Sequence, residues 1–120
     1  MMTVRNVIVL SALVLSAACG SSTPTTPTPQ PTNAAVSIVA GARTLGSNAF
    51  TSNPASVTVG ATVTWTNNDT LTHTVTSDSG AFDSGNLAPG AKFTFTFQTK
   101  GTFAYHCTPH PGMVASVVVQ

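Results

Sequence analysis

The chain of 120 residues contains no glutamate, and only 6% of its residues are charged: four Lys and Arg against three Asp, a formal net charge of +1. No basic or acidic field exists to attract nucleic acid or polyanions, so those partners are excluded. The missing Glu, together with twenty-one Thr and fourteen Val, disfavours helix and suits pleated, half-buried strands. The length allows one small domain and no multidomain enzyme. A core this small usually needs a further constraint such as a metal or a disulfide, yet there are only two cysteines, Cys19 and Cys107.

The first third has the layout of an exported protein. Arg5 precedes a mostly apolar run from Val7 to Ala18 that ends in small residues and Cys19, the three-part pattern of a secretory signal, with an apolar core too short to span a bilayer. Leu15-Ser16-Ala17-Ala18-Cys19 resembles a bacterial lipoprotein processing site, although Ser16 stands where such sites usually carry Leu. The resemblance implies cleavage after residue 18 and a diacylglycerol anchor on Cys19. The expected location is therefore periplasmic or cell-surface, tethered to a membrane. Residues 19–33 follow as the lipidated Cys and a Pro/Thr-rich linker. Its stretch Gly20–Asn33 reads GSSTPTTPTPQPTN, with four of the eight prolines, and cannot bury enough apolar surface to offset chain entropy. At roughly 3.1 Å per residue, it reaches about 40 Å; a glycosylated stalk fits the same composition. With residues 1–18 removed, Arg43, Lys92 and Lys100 balance Asp69, Asp78 and Asp83. Lipidation of Cys19 would leave Cys107 as the lone thiol and exclude an intramolecular disulfide. A monomer is expected.

Residues 34–120 form the folded domain. Alternating apolar positions recur at Val36 and Ile38, Val57 and Val59, Val63 and Trp65, Phe93, Phe95 and Phe97, Phe103 and Tyr105, and Val117 and Val119, each marking one face of a strand. Turn signals separate them, among them Asn53-Pro54, Asn67-Asn68-Asp69, Asp83-Ser84-Gly85, Pro89-Gly90 and the run from Pro109 to Gly112. Seven to eight short strands without a helical stretch predict an all-β, antiparallel sandwich. The aromatic residues at strand spacing are assigned to packing.

One segment carries chemistry: Tyr105-His106-Cys107-Thr108-Pro109-His110-Pro111-Gly112-Met113 places a thiolate, an imidazole and a thioether at C-x2-H-x2-M. Thiolate and thioether are soft donors that select copper, whereas magnesium or calcium requires oxygen ligands. Outside the segment, His73 is the remaining histidine. Two His, one Cys and one Met are the inventory of a blue-copper site, a trigonal His2Cys plane with a long axial Met. His106 neighbours Cys107, but strand alternation points it to the opposite face.

On this ligand loop, together with Phe50 to Pro54, Val63-Thr64-Trp65-Thr66-Asn67-Asn68-Asp69 and the Pro89-Gly90 turn, residues 34–120 resemble the cupredoxins of the plastocyanin and amicyanin type. The short gap between His110 and Met113 is similar to amicyanin. The resemblance implies a Greek-key β-sandwich or barrel holding one type 1 copper, with His73, Cys107, His110 and Met113 as ligands. It also implies one-electron transfer between protein redox partners and an apolar docking patch at Pro109, Pro111 and Gly112. A backbone N–H on the thiolate sulfur is expected from Thr74, and a role in stiffening the His73 loop from Asn68 and Asp69, the alternative being that this pair only makes the turn. Enzymatic activity is not expected, because three histidines cannot supply a second type of copper centre. The alternatives are copper handling without electron transfer, a structural zinc site, which thioether ligation disfavours, and a metal-free Ig-like module.

Overall fold

The computed structural model describes residue 20 and residues 26–120; the proposed signal segment, Cys19 and residues 21–25 of the proposed linker lie outside the described residues. Among the described residues, seven strands form two sheets. β1 (Ala34–Ile38), β3 (Thr62–Asn67) and β5 (Lys92–Thr96) make a three-stranded sheet in the order β1-β3-β5, and β2 (Ala55–Val57), β7 (His110–Val119), β6 (Gly101–Cys107) and β4 (Thr76–Ser77) make a four-stranded one in the order β2-β7-β6-β4. Only β6 and β7 are sequence neighbours within one sheet; every other connection crosses from one sheet to the other, the interlocked arrangement of a Greek-key sandwich. An antiparallel sandwich is the expectation from alternation, but two pairs are parallel: β1 with β3 and β2 with β7. Periodicity specifies which face of a strand is buried and says nothing about its partner's direction.

In β3, Val63 and Trp65 are fully buried and stand opposite Phe95 and Phe93 of β5. Such directly opposed apolar pairs are the unit from which a sheet gains stability, and Trp65 stacks on Phe93 with centroids 5.6 Å apart. Phe82 has no alternating neighbour in the sequence. It nevertheless fills the space between the sheets, with ring centroids 5.1 to 6.4 Å from Phe95, Trp65, Phe97, Tyr105 and Phe93. Each fully buried aromatic of this kind contributes about 1.5–3 kcal/mol of transfer free energy. Val59, expected on the inner face of β2, lies beyond its end and is exposed.

Two further departures bear on the site. Residues 42–48 form two short 3-10 helices, Ala42–Thr44 and Gly46–Asn48, that pack against β7. The turn expected from Pro109 to Gly112 contracts to Thr108 and Pro109, and β7 already begins at His110. At the other end of the domain, Thr32 donates its N–H to Thr58 Oγ1 at 2.9 Å and Asn33 Oδ1 accepts the Thr62 N–H at 2.8 Å, so the last linker residues lie against the sandwich. Among the described residues, no helix is long and apolar enough to cross a membrane.

Candidate metal centre

The β6–β7 hairpin brings two donors together by register. Cys107 pairs across the two-residue turn with His110, after a register shift between His106 and Cys107. An irregularity of this kind re-aims a side chain out of the regular pleat. Cys107 points into the core, fully buried, while His106 keeps the outer face, half-buried, with Nδ1 2.6 Å from Asp78 Oδ1. Met113, three residues into β7, is also fully buried. His110 is half-buried, and Pro109, Pro111 and Gly112 around it are exposed.

His73 arrives from the other sheet connection, and its backbone is fixed before its side chain is. Its N–H donates to the Leu87 carbonyl at 3.1 Å, and the Leu87 N–H returns to the His73 carbonyl at 2.8 Å. Buried Asn67 ties the same loop by donating from Nδ2 to the carbonyls of Leu71 and Leu87 and accepting the Asp69 N–H at 3.0 Å. The imidazole is fully buried, with Nε2 2.8 Å from Asp69 Oδ2. Asp69 Oδ1 in turn accepts the N–H groups of Gly41 (3.0 Å) and Thr70 (2.8 Å). Gly41 adopts φ +74°, a left-handed conformation that suits glycine and presents this donor. The His73 hydrogen bond, then the Gly41 N–H, hold the Asp69 carboxyl down from 3.8 to about 2 against the opposing effect of burial.

Asn68 lies elsewhere. It stitches the loop to β1, with Nδ2 2.6 Å from Ser37 Oγ and its N–H on the Ile38 carbonyl. Of the two side chains expected to stiffen the His73 loop, the one that touches His73 is Asp69. The Asn-Asn-Asp cluster signals the turn, but an irregular turn has no period to say which residue faces inward. Thr74 donates its backbone N–H to Cys107 Sγ at 3.3 Å.

Three donor atoms converge. His73 Nδ1 and His110 Nδ1 each lie 3.6 Å from Cys107 Sγ and 3.2 Å from one another. A carboxylate can only accept, so His73 carries its proton on Nε2 when neutral and presents a bare lone pair at Nδ1. Atoms this close need either a shared proton, from His110 Nδ1 or the Cys107 thiol, or a cation between them. The point equidistant from all three is about 2.0 Å from each, the length of a bond from imidazole nitrogen to a transition metal. The donor set therefore fits a soft cation in a trigonal plane, in the His2Cys arrangement of a type 1 copper site with Met113 buried nearby in the sequence of β7.

The comparisons with known proteins agree with this chemistry. Residues 38–120 match the family described as copper binding proteins, plastocyanin/azurin family. The chain is similar to the chloroplastic plastocyanin of Tetradesmus obliquus, 38% identical over 89 residues, covering 62% of this chain and 61% of that protein. It is 42% identical over 69 residues to the amicyanin of Paracoccus denitrificans, covering 53% of each. It thus spans less than two thirds of the length of these two relatives. Among solved structures, a purple cupredoxin from Nitrosopumilus maritimus superposes with a TM-score of 0.67 at 31% identity, over 72% of this chain and 99% of the other.

Proposed function

The chain belongs to the plastocyanin/azurin family of copper-binding proteins, and on that premise we propose that it is an extracytoplasmic carrier of single electrons between protein redox partners. The observation that carries the reading is the convergence of two imidazole nitrogens and one buried sulfur within 3.6 Å of each other. In this reading His73, Cys107 and His110 would hold one copper per chain, with Met113 as a fourth, weaker ligand. When bound, copper supplies the one-electron couple. The protein's part is to keep the donor spacing unchanged when the charge changes, so that little atomic motion accompanies transfer.

Its residues are suited to that. Asp69 fixes the His73 ring, the Thr74 N–H bears on the thiolate, and Pro109 and Pro111 limit the dihedral freedom of the segment between Cys107 and Met113. The half-buried His110, set among exposed Pro109, Pro111 and Gly112, offers a short route from the centre to a docked partner. The single donor cluster found among the described residues suits a carrier rather than a multi-centre enzyme.

Copper-loaded protein should show an intense visible thiolate-to-copper absorption and reversible voltammetry. Cys107→Ser should abolish the colour and leave the β-sheet circular dichroism intact; a colourless wild-type Cu(II) complex, or colour that survives the substitution, refutes the assignment. The same reading places the chain at a membrane through Cys19. Mass spectrometry of the mature protein should find residue 19 at the N-terminus with a lipid adduct, and an unmodified Cys19 would remove the tether.

A further inference from the structure

On the outer face of β4 and β6 a branched chain of hydroxyl groups joins the copper-site backbone to a surface carboxylate. Thr74, whose N–H bears on Cys107 Sγ, accepts the Thr108 N–H on its own hydroxyl oxygen at 2.8 Å. Thr74 Oγ1 lies 3.0 Å from Thr76 Oγ1. Thr76 Oγ1 lies 3.1 Å from Thr108 Oγ1 and 3.3 Å from Asp83 Oδ1. The strands dictate this grouping: side chains two apart on an extended segment share a face, and Thr76 pairs in register with His106 on one side and bridges to Asp83 on the other.

The protons in this chain have only one consistent direction. A hydroxyl has one proton to give and two lone pairs, and a carboxylate can only accept. Thr76 therefore donates to Asp83, and its oxygen is left to accept from both Thr74 and Thr108. The Thr74 proton then points away from the copper site, and its oxygen, the negative end, faces the Thr108 N–H beside Cys107.

We propose that Thr76 is a positioning residue for the copper centre: its hydroxyl, oriented by the Asp83 carboxylate, fixes the polarity of Thr74 and Thr108 and so favours the higher charge state of the metal. The inference rests on the electron-transfer reading above. It assigns to Asp83 an influence that travels through a hydroxyl and not only through solvent, where a surface charge is screened.

A double-mutant cycle separates the two routes. Asp83→Asn keeps an oxygen for the Gly85 N–H it now accepts, and Thr76→Val keeps the β-branched shape suited to a strand, so both should fold. Asp83→Asn should raise the reduction potential in the wild-type background and raise it by less than half as much in Thr76→Val, with Thr76→Ser restoring the full shift. Equal shifts in both backgrounds overturn the proposal. In copper-free protein, amide exchange at Thr108 should quicken roughly two- to tenfold in Thr76→Val, the factor for one lost hydrogen bond, and return to the wild-type rate in Thr76→Ser; an unchanged rate also overturns it. Additive shifts in a coloured protein refute this proposal alone, whereas a wild type that never takes up copper refutes the electron-transfer reading and the redox role of Thr76 with it.

Discussion

The stretches that supply the two histidines are built in opposite ways. From Asn67 to Thr74, the side chains of Asn67 and Asp69 and the backbone of His73 are engaged in hydrogen bonds, and the imidazole is sealed from solvent. From Thr108 to Gly112 the chain is a two-residue turn followed by exposed Pro111 and Gly112, with its histidine only half-covered. Loops with many satisfied buried groups resist opening, and exposed ones with few do not. On the proposed electron-transfer reading the difference divides the work: the His73 side determines where a metal sits, and the His110 side lets charge in and out.

The sharpest way to break that division is to remove each ring in turn. Both His73→Gly and His110→Gly should lose the visible colour of the copper protein almost completely. Added imidazole should restore it in His110→Gly, because the missing ring opened towards solvent. It should not restore it in His73→Gly, where the vacated space is enclosed and lies against the Asp69 carboxylate. Rescue of both variants, or of neither, would show that the two sides are not differently exposed.

A smaller effect is expected from Asp69→Asn. The amide preserves the shape but removes the charge that keeps the His73 proton on Nε2, and partners that orient a ligating histidine typically account for 10–100-fold in metal affinity. Competition with a Cu(I) chelator should report a loss in roughly that range. Unchanged affinity would mean that packing alone, without the carboxylate, orients the ring.

These contrasts explain what the sequence discloses and what it withholds. The donors are legible because thiolate, thioether and imidazole at fixed spacing have few other uses, and β3 and β6 are legible because Val63, Trp65, Phe103 and Tyr105 alternate with polar or small neighbours. Phe82 is illegible, since a lone aromatic between Asp and Gly residues carries no period although it ends at the centre of the aromatic cluster. The 3-10 helices at residues 42–48 are too short to show one. Asp69 and Asn68 look interchangeable until the carboxylate is seen to meet both Gly41 and His73. Long-range partners of this kind come from tertiary placement, and local patterns carry no record of it.

A third region refines the contrast, because the core beneath the site tolerates what the His73 stretch does not. Tyr105, two residues before Cys107, is fully buried against Phe50 and Trp65, and neither its hydroxyl nor the Trp65 indole N–H has a hydrogen-bond partner among the described residues. Burial pushes the phenol from 10.0 up to about 12, with the nearby Trp65 N–H pulling weakly downward without reaching bonding geometry. A group whose folded value is raised contributes its full share below the unfolded value and loses it as pH rises through the folded one. Wild-type stability should therefore fall between pH 10 and about 12, by on the order of 2–3 kcal/mol, while Tyr105→Phe should show no such loss. At neutral pH the variant should lie within about 1 kcal/mol of wild type or be slightly more stable, because it deletes an orphan hydroxyl and not a formed hydrogen bond. Urea unfolding followed by fluorescence of the single Trp65 measures both. Parallel loss of stability in the two proteins across that alkaline range would show that the phenol is not held neutral by the core, and that the sheets there are as open to water as the turn carrying His110.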